Sequence, residues 1–64
     1  MRHEIHDCEI IKETGKAVLV ESQNLDEPLW VPMSVIHDDS EVYEEGDKGT
    51  LTVKGWWAEK EGLS

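Results

Sequence analysis

A mainly β chain, folded as a small antiparallel β-barrel of about five short strands with a short C-terminal helix, is predicted by three observations. Apolar residues come in short runs rich in Val and Ile, divided by Gly, Pro, Asn and Asp, which is the pattern of strands and turns. Helix formers with a matching stop signal occur only in residues 55–63. With 64 residues, the chain makes one domain, residues 1–64. A domain of that size removes only about 60% of its unfolded surface from water, too little for a two-layer sandwich with a generous core. A strongly bent sheet that closes on itself is the economical alternative.

The elements come in order along the chain. In residues 3–12, Ile5, Cys8, Ile10 and Ile11 do not keep one period of two, and the phase slips near Asp7, as in a bulged or twisted strand. "ETGK" supplies a tight turn with Gly15 placed for positive φ. "AVLVES" (17–22) is the clearest strand, and the two runs form a hairpin. "QNLDEP" interrupts the pattern and "LWV" (29–31) resumes it. Pro32 has no N–H to donate, so this strand ends there or lies on an edge. Ser34 is expected to cap a single turn over "SVIH", returning Val35 and Ile36 to the core.

Within "DDSEVYEEGDKG", Val42 and Tyr43 are read as a short strand or an anchor, with Gly46 and Gly49 flanking a turn. "TLTV" (50–53) alternates, predicting Leu51 and Val53 inward with Thr50 and Thr52 outward. "GWWAEKEGL" (55–63) reads as a helix closed by a left-handed Gly62, with Leu63 folded back on the last turn. Trp56 lies in helical phase with Leu63, which predicts Trp56 inside and Trp57 partly exposed, as a partner anchor or a lid over the barrel end. Trp30 is expected in the core or closing the barrel. The order strand, Pro, x, Ser, single turn in "WVPMSVI" is similar to the passage between the last strands of SH3 barrels, so the barrel is expected to be SH3-like or OB-like. The acidic and aromatic groove residues of proline-peptide binding are not evident, and that activity is not carried over.

Charge bounds the function. The net charge is -9, and all of the excess lies in residues 17–47, which hold Glu21, Asp26, Glu27, Asp38, Asp39, Glu41, Glu44, Glu45 and Asp47 without a single Lys or Arg. Outside that window acids and bases cancel. Such a surface repels phosphate backbones and anionic lipid, so neither direct nucleic-acid binding nor membrane binding is expected. No apolar run is long enough to span a bilayer and no basic-then-apolar leader is present, which predicts a cytoplasmic protein. A lone cysteine excludes a disulfide framework.

Catalytic and metal chemistries find little footing. His3, His6, Cys8 and His37 are the candidate metal ligands: on a regular strand His6 and Cys8 share a face, and His37 alongside would complete a zinc-compatible set. The HxxHxC spacing matches no zinc signature, and exposed imidazoles with a buried thiol are the bland alternative. Cys8 with a histidine base lacks hydrogen-bond reach along a strand. The "DDSE" and "EE" carboxylates lack the burial that raises a general acid's pKa. A calcium loop of EF-hand type fails, because Val42 stands in a ligand place and Tyr43 in that of the obligatory Gly. The expectation is a non-enzyme without cofactor.

"KAVLV" (16–20), "WVPMSVI" (30–36), "GTLTV" (49–53) and "WWAEKEGL" (56–63) together resemble a group of short uncharacterised proteins carried by phages, prophages and their bacterial hosts. In that group the pattern W-[IV]-P-x-S-x-I, G-x-L-x-V, W-x-A-x-x-x-G-L recurs in this order. The resemblance implies a mobile-element setting rather than an activity.

From the residues themselves, the expected function is to present a carboxylate-rich face to a basic protein surface, in one version by mimicking nucleic acid before a host DNA-binding protein or nuclease. Asp38, Asp39, Glu41, Glu44 and Glu45 would hold that partner, with Tyr43 and Trp57 as apolar anchors. The rival is a structural or accessory module, working through a strand edge or as a homodimer, whose acidity serves solubility alone.

Overall fold

The computed structural model describes residues 2–63. Four antiparallel strands form one sheet in the order β3-β2-β1-β4, comprising β1 (Arg2–Glu13), β2 (Ala17–Ser22), β3 (Leu29–Pro32) and β4 (Lys48–Lys54). A 3-10 turn (Met33–Val35) follows β3, and a short helix, α1 (Gly55–Lys60), follows β4 directly. The chain is therefore mainly β with a C-terminal helix. Among the described residues the sheet is not closed by a ladder: a single bridge, Ile36 to Val53, returns to β4.

β1 is long because it serves two partners. Its first part pairs with β4, starting from Arg2 opposite Lys54, and its second half pairs with β2 up to Glu13 opposite Val18. The expected phase slip occurs at Asp7, which takes φ 57 and shifts the β1–β4 register between Ile5 and Cys8. Asp is among the few residues that tolerate this left-handed region. The extra residue lets Ile5, Cys8 and Ile10 all enter the core, which a regular strand forbids.

The β1–β2 turn departs from expectation, because Gly15 does not adopt positive φ. Thr14 closes it instead: its N–H donates to the Ala17 carbonyl (2.8 Å), and its Oγ1 accepts from the Ala17 (3.1 Å) and Lys16 (3.3 Å) amides. Ser34 is no cap either. The 3-10 turn starts one residue earlier, with Pro32 at its N-cap and no side-chain cap bond. Val35 is buried and Ile36 packs against the core, as expected.

Among the described residues no fifth strand forms. The 36–42 segment runs beside the free edge of β4 and satisfies it piecemeal: His37 N–H donates to the Thr52 carbonyl (2.8 Å), Thr52 N–H to Ser40 Oγ (3.0 Å), Glu41 N–H to the Thr50 carbonyl (3.2 Å), and Thr50 N–H to Glu41 Oε1 (3.1 Å). Side-chain oxygens stand in for strand carbonyls. Val42 is driven into the core as an anchor, while Tyr43 stays 52% exposed. Thr52, expected outward, is buried because this segment lies against its edge.

Both tryptophan expectations for the helix are reversed. Trp57 is 6% exposed and packs in the core, whereas Trp56 is 59% exposed. The phase relation to Leu63 fails because α1 stops at Lys60 and Gly62, at φ 76, turns the chain back. Gly62 N–H donates to the Glu59 carbonyl (3.1 Å) and Leu63 N–H to the Ala58 carbonyl (2.8 Å), the double bond of a Schellman end that brings Leu63 against the core. Trp30 is likewise outside, 48% exposed, because strand alternation gives the core position to Val31.

Ser40 is the keystone of the β4 edge: buried, it also donates from Oγ to the Val42 carbonyl (2.7 Å). Ser40→Ala strands the Thr52 N–H and should cost about 1–3 kcal/mol, read as a lower urea midpoint at unchanged slope. Ser34→Ala, which removes no cap, should stay within about 0.5 kcal/mol of the native protein.

Candidate functional site

The acidic loop, residues 38–47, leaves the β4 edge and returns across the far end of β1. Ile10 holds its exit, donating its N–H to the Asp47 carbonyl (2.9 Å) and accepting from Gly46 N–H (2.8 Å), with Gly46 at φ 92 making the turn. Along the loop the carboxylates divide by duty. Asp47 Oδ2 accepts from the Tyr43 (3.1 Å) and Glu44 (3.0 Å) amides and shapes the turn. Glu41 serves the β4 edge, and Glu45 N–H is held by Glu13 Oε1 (3.1 Å). Asp39 is paired with the Arg2 guanidinium and lies 3.7 Å from His37 Nδ1. Asp38, Glu44 and Glu45 are exposed, and among the described residues their carboxylates pair with no Arg or Lys.

Of the residues expected to meet a partner, Asp38, Asp39, Glu41, Tyr43, Glu44 and Glu45 therefore share one segment and are all exposed on it. Trp57 does not join them, being core. Beside the loop, Met33, Ile36, His37, Asp38 and Tyr43 line a concavity of about 240 Å³ with apolar walls and a carboxylate at its rim. Met33 and Ile36 are legible in the sequence as flanking a turn after Pro32, but nothing local signals that Tyr43 comes to lie across from them.

A second acidic group joins Glu21, Asp26 and Glu27 of the acidic window to Asp7 and Glu9, a grouping with no local sequence signal. Asp7, Glu9, Glu21, Asp26 and Glu27 surround one shallow depression, with Glu9 directly opposite Glu21 on the outer face of the β1–β2 pair. The balance of acids and bases outside residues 17–47 is one of number, and in space Asp7 and Glu9 stand beside acids of the middle segment. The sheet carries them beside the acidic middle segment, with Lys48 opposite Glu9 on its other side. A like-charge pair facing across strands is destabilising.

The histidines and cysteine do not assemble. The bulge at Asp7 puts His6 outside, its Nδ1 3.1 Å from Thr50 Oγ1, and Cys8 inside, its thiol donating to the Ile5 carbonyl at 3.1 Å. His37 Nδ1 accepts from the Asp39 amide (3.2 Å), and His3 lines a different depression beside Asn24 and Leu63. Among the described residues no three His, Cys, Asp or Glu side chains are grouped to hold a metal ion. No helix there is long and apolar enough to cross a membrane.

Comparison with protein-family models, with curated proteins and with solved structures finds no match. Function is therefore read from the geometry alone.

Burial pushes the Cys8 thiol above its ordinary value of 9.0, with the Asp7 charge acting in the same direction and hydrogen bonds from Leu51 and Ser22 opposing it. A raised folded-state pKa means that this contribution to stability is complete below pH 9.0 and falls as pH climbs past it, where the unfolded thiol ionises and the folded one resists. Cys8→Ala should therefore lower stability at neutral pH yet flatten its decline on the alkaline side, measured by urea titration across that range. In the native protein, alkylation of Cys8 should proceed only as fast as the fold opens.

Proposed function

We propose that this chain is a non-enzymatic binding protein whose acidic loop engages a basic protein surface. One observation carries the reading: among the described residues no lysine pairs with a carboxylate, and the ion pair between fixed charges is that of Arg2 with Asp39. The anionic excess is left facing solvent. Unneutralised charge costs self-repulsion in a small domain, and it speeds and orients encounters with a cationic partner. Mimicry of nucleic acid is one form of this activity, since DNA presents about one charge per 1.7 Å of its axis, and a phage or prophage setting in the bacterial cytoplasm suits it. An SH3-like rolled sheet belongs to the same proposal, supported by the passage from β3 through the 3-10 turn to the Ile36–Val53 bridge.

A second reading, a homodimer, is favoured by one feature, Trp30 half-exposed opposite Leu19 on the outer face of the β2–β3 pair. Pairing through the β3 edge is disfavoured. Met33 N–H donates to the Lys16 carbonyl (2.8 Å), so by antiparallel alternation Leu29 and Val31 also bond β2, while positions 28, 30 and 32 aim outward. Two of those are prolines, which leaves the Trp30 N–H as the sole donor on that stretch of edge. A dimer would have to use the face.

The charge reading is tested by capture from bacterial lysate. Bound proteins should be released at about 1 M salt, where the screening length is about 3 Å, and displaced by duplex DNA if the loop mimics it. Asp38→Lys/Glu44→Lys/Glu45→Lys should abolish capture while melting no lower than the native chain; undiminished capture by this variant would refute the proposal. For the dimer, Trp30→Lys should convert a sedimenting dimer to monomer, and a native chain that sediments as a monomer at high concentration sinks that reading.

A further inference from the structure

The concavity between the 3-10 turn and the acidic loop has a chemistry of its own. Met33 and Ile36, which pack against the core, line it together with the 52%-exposed Tyr43, His37 and Asp38. Its volume of about 240 Å³ falls below the roughly 300–1,000 Å³ of small-molecule sites, so it suits one extended side chain rather than a whole ligand. An apolar floor under a carboxylate matches a side chain with a long aliphatic stem and a cationic head. The neighbouring residue already shows the pairing: the Arg2 guanidinium sits on Asp39.

We infer that this pocket seats a single arginine side chain of the protein partner, its stem along Met33 and Ile36, its guanidinium stacked on Tyr43 and bonded to Asp38. The inference rests on the acidic loop being a partner-binding surface and specifies what that surface grips. Arginine is preferred over lysine because its planar head stacks on an aromatic face and is more weakly hydrated, so it enters a half-apolar site more readily. The remaining free acids, Glu44 and Glu45, steer the partner, and the pocket fixes its register.

The probe is a capped Gly-Gly-Arg-Gly-Gly peptide titrated into the isotopically labelled full chain, with the citrulline peptide, equal in shape but uncharged, as comparison. Saturating amide shifts should concentrate at Met33, Ile36, His37, Asp38 and Tyr43 for the arginine peptide and be weaker by roughly tenfold or more for citrulline. Tyr43→Ala and Asp38→Asn should each weaken binding roughly three- to thirtyfold, with the remaining spectrum unchanged. Equal binding of both peptides, shifts scattered over all the acids and indifferent to Tyr43→Ala, or peptide-free shifts at the pocket that grow with protein concentration would overturn it, the last by showing a second copy there. Lysate capture lost in Glu44→Lys/Glu45→Lys but indifferent to Tyr43→Ala overturns the pocket alone. Peptide seated in the pocket while capture ignores Glu44→Lys/Glu45→Lys upholds the pocket and overturns the broader reading.

Discussion

The free edge of β4 is the constraint around which the molecule is arranged. A strand whose Leu51 and Val53 are fully buried cannot leave its outward amides and carbonyls unpaired beside the core. Single groups from the 36–42 segment do the pairing in place of a regular fifth strand. Much of the remaining architecture is settled by that substitution. Ser40 must be buried, Val42 must turn inward to hold the segment down, and the next residues are thrown outward as an acidic loop whose course is then tied to Ile10.

The electrostatics inherit this geometry. Loop carboxylates that point at backbone amides, Glu41 and Asp47, are structural in the first instance, and Asp39 is paired with Arg2. The carboxylates left over are a smaller set than the composition suggests, but they are close together in the chain and border an aromatic side chain. On the opposite half of the sheet, Glu9 and Glu21 face each other with no compensating base between them. Beneath this pair the core residues Ile10, Val20 and Val31 are fully buried, which offsets the repulsion in a domain that buries little surface.

Local pattern is enough for the strands, for the phase slip at Asp7, and for the Gly62–Leu63 ending of the helix, because each is decided by residues close in sequence. The failures share a different cause. Extending helical phase through residues that are no longer helical misplaces Trp56 and Trp57. Alternation along β4 misplaces Thr52, because it says nothing about the distant segment that covers the strand's edge. A regular strand puts His6 and Cys8 on one face, but the bulge at Asp7 reverses the side-chain direction between them and sends only the thiol inward. The pocket joins Met33 to Tyr43, ten residues on in the chain. A pairing of that kind, set by nonlocal packing, leaves no periodic trace.

The prolines that frame β3 have a consequence for how this chain behaves when crowded. From Ala17 to Val20, β2 is apolar on both faces, and such runs are the usual seeds of fibrils. Growth of that kind propagates by adding one backbone after another to an open rim, and here the rim offers a lone amide over its length. A stored or overexpressed stock should thus be spared templated accretion, and any clumping it does show will come from side-chain stickiness that dilution reverses.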